Sequence, residues 1–289
     1  MKIAYNSMWH GFDIENNWFN YMFMDYFNNP EIEFSYDQND ADLIFSSVFG
    51  PPPFGRGRKI FFTGESRKDG YTPDQILLGF DQSNIQSLIF RLPLWMIYIN
   101  WWPEKFYPQH IVGGPTYKVD LERLSTPSNS EQIATFLSRP FFCSMVVTNP
   151  TENRQQAYQA LSSIDAIHGY GRMFGNYYTG EKSDILNQYK FNVCFENTIS
   201  DGYVTEKLFE AKLSGSIPIY WGDSWAKKDF NPNGFIDYTD MSSMQELVDT
   251  VRKIYSSVDL MGQYVYEPMF KEPPSLEPLF EFFDKVKLK

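Results

Sequence analysis

The sequence predicts an α/β protein built from two Rossmann-like halves. Three observations carry this. Short apolar runs alternate with helix-spaced segments over residues 2–63, the alternation resumes over residues 142–255, and a polar tract separates the two stretches. Strands that alternate with helical segments form parallel sheets with crossover helices.

Taken in order, residues 2–5 read as a strand and 14–27 carry the apolar spacing of a helix. Residues 43–48 form a second buried strand, closed by the Gly-Pro-Pro-Pro turn at 50–53. A third strand at 59–63 ends at Gly64-Glu65. Residues 101–108, WWPEKFYP, read as an aromatic loop. The chain turns polar over 115–130, and the Ser-Thr-Pro-Ser-Asn-Ser run at 125–130 marks a linker. Beyond it come a strand at 142–148, a helix at 152–164 and a short strand at 167–170. A helix near 183–188 has Ser183 as its expected cap. The strand 191–195 and helix 204–213 follow, then Gly215, where a left-handed residue ends the helix. Strand 217–220, amphipathic helix 244–255 and a terminal helix at 275–287 complete the order. The expected divisions are residues 1–125, residues 131–265, and a helical segment 266–289 that can pack back on the first.

Hydrophobic residues make up 43% of the chain and charged residues 21%, which provides for a folded core rather than disorder. A formal charge of −11 excludes nucleic acid as the natural partner, because phosphates reward clustered Lys and Arg. Aromatic content is high at 18%; such rings can stack on sugar faces, although most serve a core. Cys143 and Cys194 each lie in an apolar run, match no metal spacing, and read as reduced core thiols. No run of about 18 apolar residues offers a membrane span, and MKIAYNSMWH lacks a signal-peptide core. The expectation is a cytoplasmic protein with at most peripheral membrane association and an undefined oligomeric state.

The richest stretch is 192–223, a strand, a polar loop, a helix and a second strand. Asn197, Tyr203, Glu206 and Lys207 gather at its loop-to-helix junction. A helix start offers N–H groups and a positive dipole to a diphosphate. Lys207 can add a cation there, and Glu206 can accept from a ribose diol. The competing reading is an ordinary surface helix with adjacent Glu and Lys. Arg154 follows the strand 142–148, in the first turn of the next helix, where a cation opposes the dipole. It therefore reads either as a phosphate fork or as a solvated surface residue. Glu65, in FFTGES just past a strand, reads either as a general base or as a turn carboxylate. His168 favours a structural role beside its strand. His10 and His110 have no evident partners, and no D-x-D or H-x-x-x-H pattern points to a metal.

The combined pattern resembles the α-1,3-fucosyltransferases of glycosyltransferase family 10. The long match is FNVCFENTISDGYVTEKLFEAKLSGSIPIYWG at 191–222. FFTGES at 61–66, GFD at 79–81, NPTENR at 149–154, HGYGR at 168–172 and KDFNP at 228–232 add to it in order. The resemblance implies a GT-B fold, two Rossmann-like domains facing a central cleft. It implies an inverting transfer of L-fucose from GDP-β-L-fucose to a glycan hydroxyl, the 3-OH of GlcNAc in an N-acetyllactosamine-type acceptor. Glu65 matches the proposed base, Arg154 and Lys207 the diphosphate ligands, Glu206 the ribose ligand, and Asn197 and Tyr203 the donor-site lining. No metal or other cofactor is implied. The motifs thin out over residues 1–58, and Ser66 stands where some relatives carry Asn. A non-catalytic nucleotide-sugar or glycan-binding module, or a transferase using another GDP-sugar, is the alternative.

Overall fold

A computed structural model describes residues 1–102, 110–111, 114–115 and 117–288. The loop read at 101–108 thus lies outside the described residues beyond Trp102. The chain divides into two compact units: Met1–Val119 with Asp201–Tyr203 and the segment from Ser275 onward, and Asp120–Ser200 with Val204–Pro274. The division falls just before the polar run at 125–130, and residues 266–274 belong to the second unit.

In the first unit the elements are β1 (Lys2–Asn6), α1 (Trp18–Phe27), β2 (Glu33–Ser35), β3 (Leu43–Ser46), β4 (Arg58–Phe62), β5 (Ile76–Gly79), β6 (Ile89–Arg91) and α2 (Leu94–Ile97). A short antiparallel pair, β7 (His110–Ile111) and β8 (Gly114–Pro115), follows. The second unit contains α3 (Leu121–Leu124), α4 (Ser130–Leu137), β9 (Phe141–Val146), α5 (Glu152–Leu161), β10 (Ile167–Tyr170), α6 (Lys182–Leu186), β11 (Tyr189–Phe195), α7 (Glu206–Leu213), β12 (Ile217–Trp221), α8 (Ala226–Asp229), β13 (Ile236–Asp237), α9 (Met244–Tyr255) and α10 (Val258–Tyr266). Helix α11 (Glu277–Lys285) returns to the first unit.

The first sheet is all parallel in the order β2-β1-β3-β4-β5-β6. Its inner strands are buried on both faces, so they read as continuous apolar runs such as LIFS and ILLG. Asn17 caps α1 by accepting from Phe19 N and Asn20 N, which starts the helix later than apolar spacing alone suggested. The α11 helix packs on this unit through Phe283 against Tyr26 and Phe282 against Phe90, with ring centroids 5.0 and 5.3 Å apart.

The second sheet is also parallel, in the order β10-β9-β11-β12-β13. Its core joins Phe142, Met145, Phe191, Val193 and Ile219 to the apolar faces of α9 and α10. Two local expectations change. The run at 125–130 is not a free linker, because Asn129 caps α4 in a reciprocal box with Gln132. Ser183 is not a cap, since α6 already begins at Lys182.

Candidate functional site

Strand order in the second sheet reverses between β9 and β11, and ligands of parallel α/β sheets bind outside the strand carboxyl ends at such a point. Arg154 occupies it. The residue is only 2% exposed, and its guanidinium donates to Asn149 O at 2.8 Å and to Phe195 O at 2.5 Å. It thereby ties the loop after β9 to the end of β11. The solvated-surface reading of Arg154 is overturned: a buried cation needs acceptors, and the two strand ends supply them.

The α7 start is organised by a residue that the motif reading passed over. Glu196, directly after β11, has no solvent exposure. Its carboxylate accepts from Thr205 N at 2.8 Å, from Thr205 Oγ1 at 2.7 Å and from Lys207 Nζ at 3.1 Å. Lys207 Nζ also donates to Thr205 Oγ1 at 2.8 Å and lies 3.5 Å from Glu206. The helix start is therefore not wholly open to a ligand, since one of its N–H groups is held by Glu196. Nor are Glu206 and Lys207 an exposed surface pair; their side chains are 17% and 19% exposed.

A second ion pair adjoins the first, with Lys182 bound to the buried Glu210. Burial works against the Lys182 ammonium, but Glu210 and Glu206 outweigh it and raise its pKa above the ordinary value. Burial likewise resists charge on Glu206, yet Lys207 and Lys182 prevail and hold its carboxyl below the usual range. Both groups stay ionised at neutral pH.

The remaining predicted residues lie elsewhere. Asn197, half-buried, follows Glu196 in the second unit. Glu65 is half-buried in the first unit, in the loop after β4, where its backbone N–H donates to Thr63 Oγ1 at 3.1 Å. Among the described residues its carboxylate makes no hydrogen bond or ion pair. Tyr203 is buried in the first unit, edge-on to Phe80 with centroids 5.5 Å apart. Its neighbours are fixed there too: Asp201 accepts from Gln82 Nε2 at 2.8 Å, and Gly202 O accepts from Arg91 Nη2 at 2.9 Å. The structure thus brings Glu206 and Lys207 together around Glu196 and sets Arg154 at the end of the same strand. Glu65 and Tyr203 belong to the other unit.

Glu196 had a signal in the sequence, an acid closing an apolar strand in NVCFEN. Lys182 had none, because it shares no motif with Glu206 or Lys207 and only the fold brings it near them. His168 keeps its structural reading, with Nδ1 2.7 Å from Tyr189 Oη. Cys143 and Cys194 are free, buried thiols whose pKa burial pushes upward. Among the described residues, no group of three or more His, Cys, Asp or Glu could hold a metal ion, and no helix is long and apolar enough to cross a membrane.

Comparison with known proteins adds the family. The glycosyltransferase family 10 (fucosyltransferase) C-terminal model matches residues 139–266, and the alpha-(1,3)-fucosyltransferase FucT N-terminal model matches 3–98. The likeness therefore reaches into residues 1–58, where short motifs had thinned out. The Helicobacter pylori alpha-(1,3)-fucosyltransferase FucT is 30% identical over 250 residues, 78% of this chain and 51% of that protein. The human 4-galactosyl-N-acetylglucosaminide 3-alpha-L-fucosyltransferase 9 is 38% identical over 119 residues, 38% of this chain and 33% of that protein. The chain thus spans about half or less of the length of these relatives. A crystal structure of an alpha1,3-fucosyltransferase superposes with a TM-score of 0.73 at 26% identity, covering 100% of this chain and 90% of that one. One with GDP-fucose gives 0.72 at 25%, covering 99% and 89%. The two parallel-sheet units have the GT-B fold, and the chain belongs to the fucosyltransferases of glycosyltransferase family 10.

Proposed function

We propose that the protein transfers L-fucose from GDP-β-L-fucose to a glycan hydroxyl with inversion at the anomeric carbon. The observation that carries this reading is the Glu196–Lys207–Glu206 set at the α7 start, with Glu196 buried and the other two partly exposed, within the family signature and at the strand end that Arg154 contacts. In the reaction the acceptor oxygen attacks the anomeric carbon as its bond to the diphosphate breaks. Glu65 takes the hydroxyl proton, and the departing electron pair stays on GDP. Arg154 and Lys207 stabilise the charge that grows on the diphosphate, which favours the transition state over the bound donor. Glu206, kept ionised by Lys207 and Lys182, accepts from the ribose hydroxyls. Asn197 and Tyr203 complete the donor lining.

The acceptor expected from the family is an N-acetyllactosamine-type glycan fucosylated at the GlcNAc 3-OH. The test is GDP release from GDP-fucose across an acceptor panel, with product linkage and anomeric configuration read by NMR. Glu65→Gln should lose turnover while keeping GDP affinity by calorimetry; full activity in that variant removes Glu65 as the base. Equal competition by GDP-mannose would point to a different donor sugar.

A further inference from the structure

The second unit contains a cavity of about 370 Å³ apart from the residues described above. It lies toward the opposite end of the sheet. Arg139, in its wall, donates to Tyr189 O, where β11 begins, and to Ser216 Oγ, just before β12, at 2.8 and 3.1 Å. Among the described residues the other cationic side chains lining it are Arg123 and Lys212, and the one carboxylate is Glu267. Cations thus outnumber acids locally in a chain whose formal charge is −11.

The Arg139 fork is held by the protein, since Nη2 also donates to Ser214 O at 2.6 Å, so this residue offers the cavity chiefly its fixed charge. Lys212 Nζ donates to Tyr264 O at 2.8 Å, leaving further N–H capacity. Gly215 keeps space for the guanidinium, since a Cβ there would lie 2.7 Å from Arg139 Nη2. Burial also lowers the Lys212 pKa to about 8, against the pull of Glu267, as befits an ammonium short of anionic partners. The volume falls at the small end of ligand pockets.

We infer that this cavity binds a small phosphoryl anion, separately from the donor. Arginine suits such a ligand through its planar fork of donors, and lysine through its point charge. The probe is inorganic pyrophosphate, titrated calorimetrically into the full chain with GDP present in saturating amount. One saturable site is expected, weakened at least about tenfold by Lys212→Met and by Arg123→Met, since each removes a charge-assisted contact. Thermal melting of ligand-free Lys212→Met keeps a folding defect distinguishable from lost binding. Absence of saturable binding, or unchanged affinity in both folded variants, overturns the proposal. A failed fucose transfer with intact pyrophosphate binding would instead count against the function proposed above.

Discussion

A carboxylate without solvent exposure persists at Glu196 because Thr205 and Lys207 together surround it with donors. Removing it takes away the anion 3.1 Å from Lys207 and leaves Thr205 N without that acceptor. Glu196→Ala should therefore destabilise the protein by about 3–5 kcal/mol, the range for breaking a buried pair from one side. Urea denaturation measures this, and a change near zero would mean the pair is not a structural element. Glu206 allows a pH test. Its folded pKa lies below the ordinary 4.5, so its contribution is present above that value and lost as pH falls through the depressed one. Stability measured across the acid range should fall less steeply in Glu206→Gln than in the parent. Parallel acid limbs would contradict the assigned shift.

At the scale of elements, strands such as β1, β3, β4, β9 and β11 were legible because parallel strands covered on both faces are continuous apolar runs, whereas β5 and the edge strands β2, β6 and β13 were not read, being only two to four residues long. Helix α9 was legible to its end residues because Ser243 caps it and its apolar face repeats regularly. The α4 helix was missed, as its Ser-, Asn- and Pro-rich entrance has the composition of a loop while Asn129 and Gln132 act as a capping box. The segment Asp201–Tyr203 shows how a motif residue can serve packing. Gly202 has φ of +77°, and a Cβ there would lie 1.9 Å from Phe80 O. Gly202→Ala should consequently cost more than about 1 kcal/mol, through both the left-handed backbone and the clash. Equal unfolding midpoints for variant and parent would refute the close approach.

Across the whole molecule, the chain leaves its first unit, completes the second, and returns in α11. Phe282 and Phe283 are buried by that return, and Tyr26 Oη donates to Asp284 at 2.9 Å. Truncation after Pro274 should lower the melting temperature of the first unit. Cys143 and Cys194, both buried in the second unit, report on that unit separately through thiol labelling. Labelling accelerated as strongly as first-unit melting would show that the two do not unfold independently. By itself, the sequence determined the alternation of strands and helices, the presence of two α/β halves and the family signature. These depend on periodicity, turn chemistry and residue identity over short spans. Only the tertiary structure decided that Arg154 is buried against two strand ends, that Glu196 holds Lys207, and that Asp201–Tyr203 pack with the first unit. The physical reason is that burial and pairing are set by which strand ends the sheet order makes neighbours, and those contacts join residues far apart in the chain.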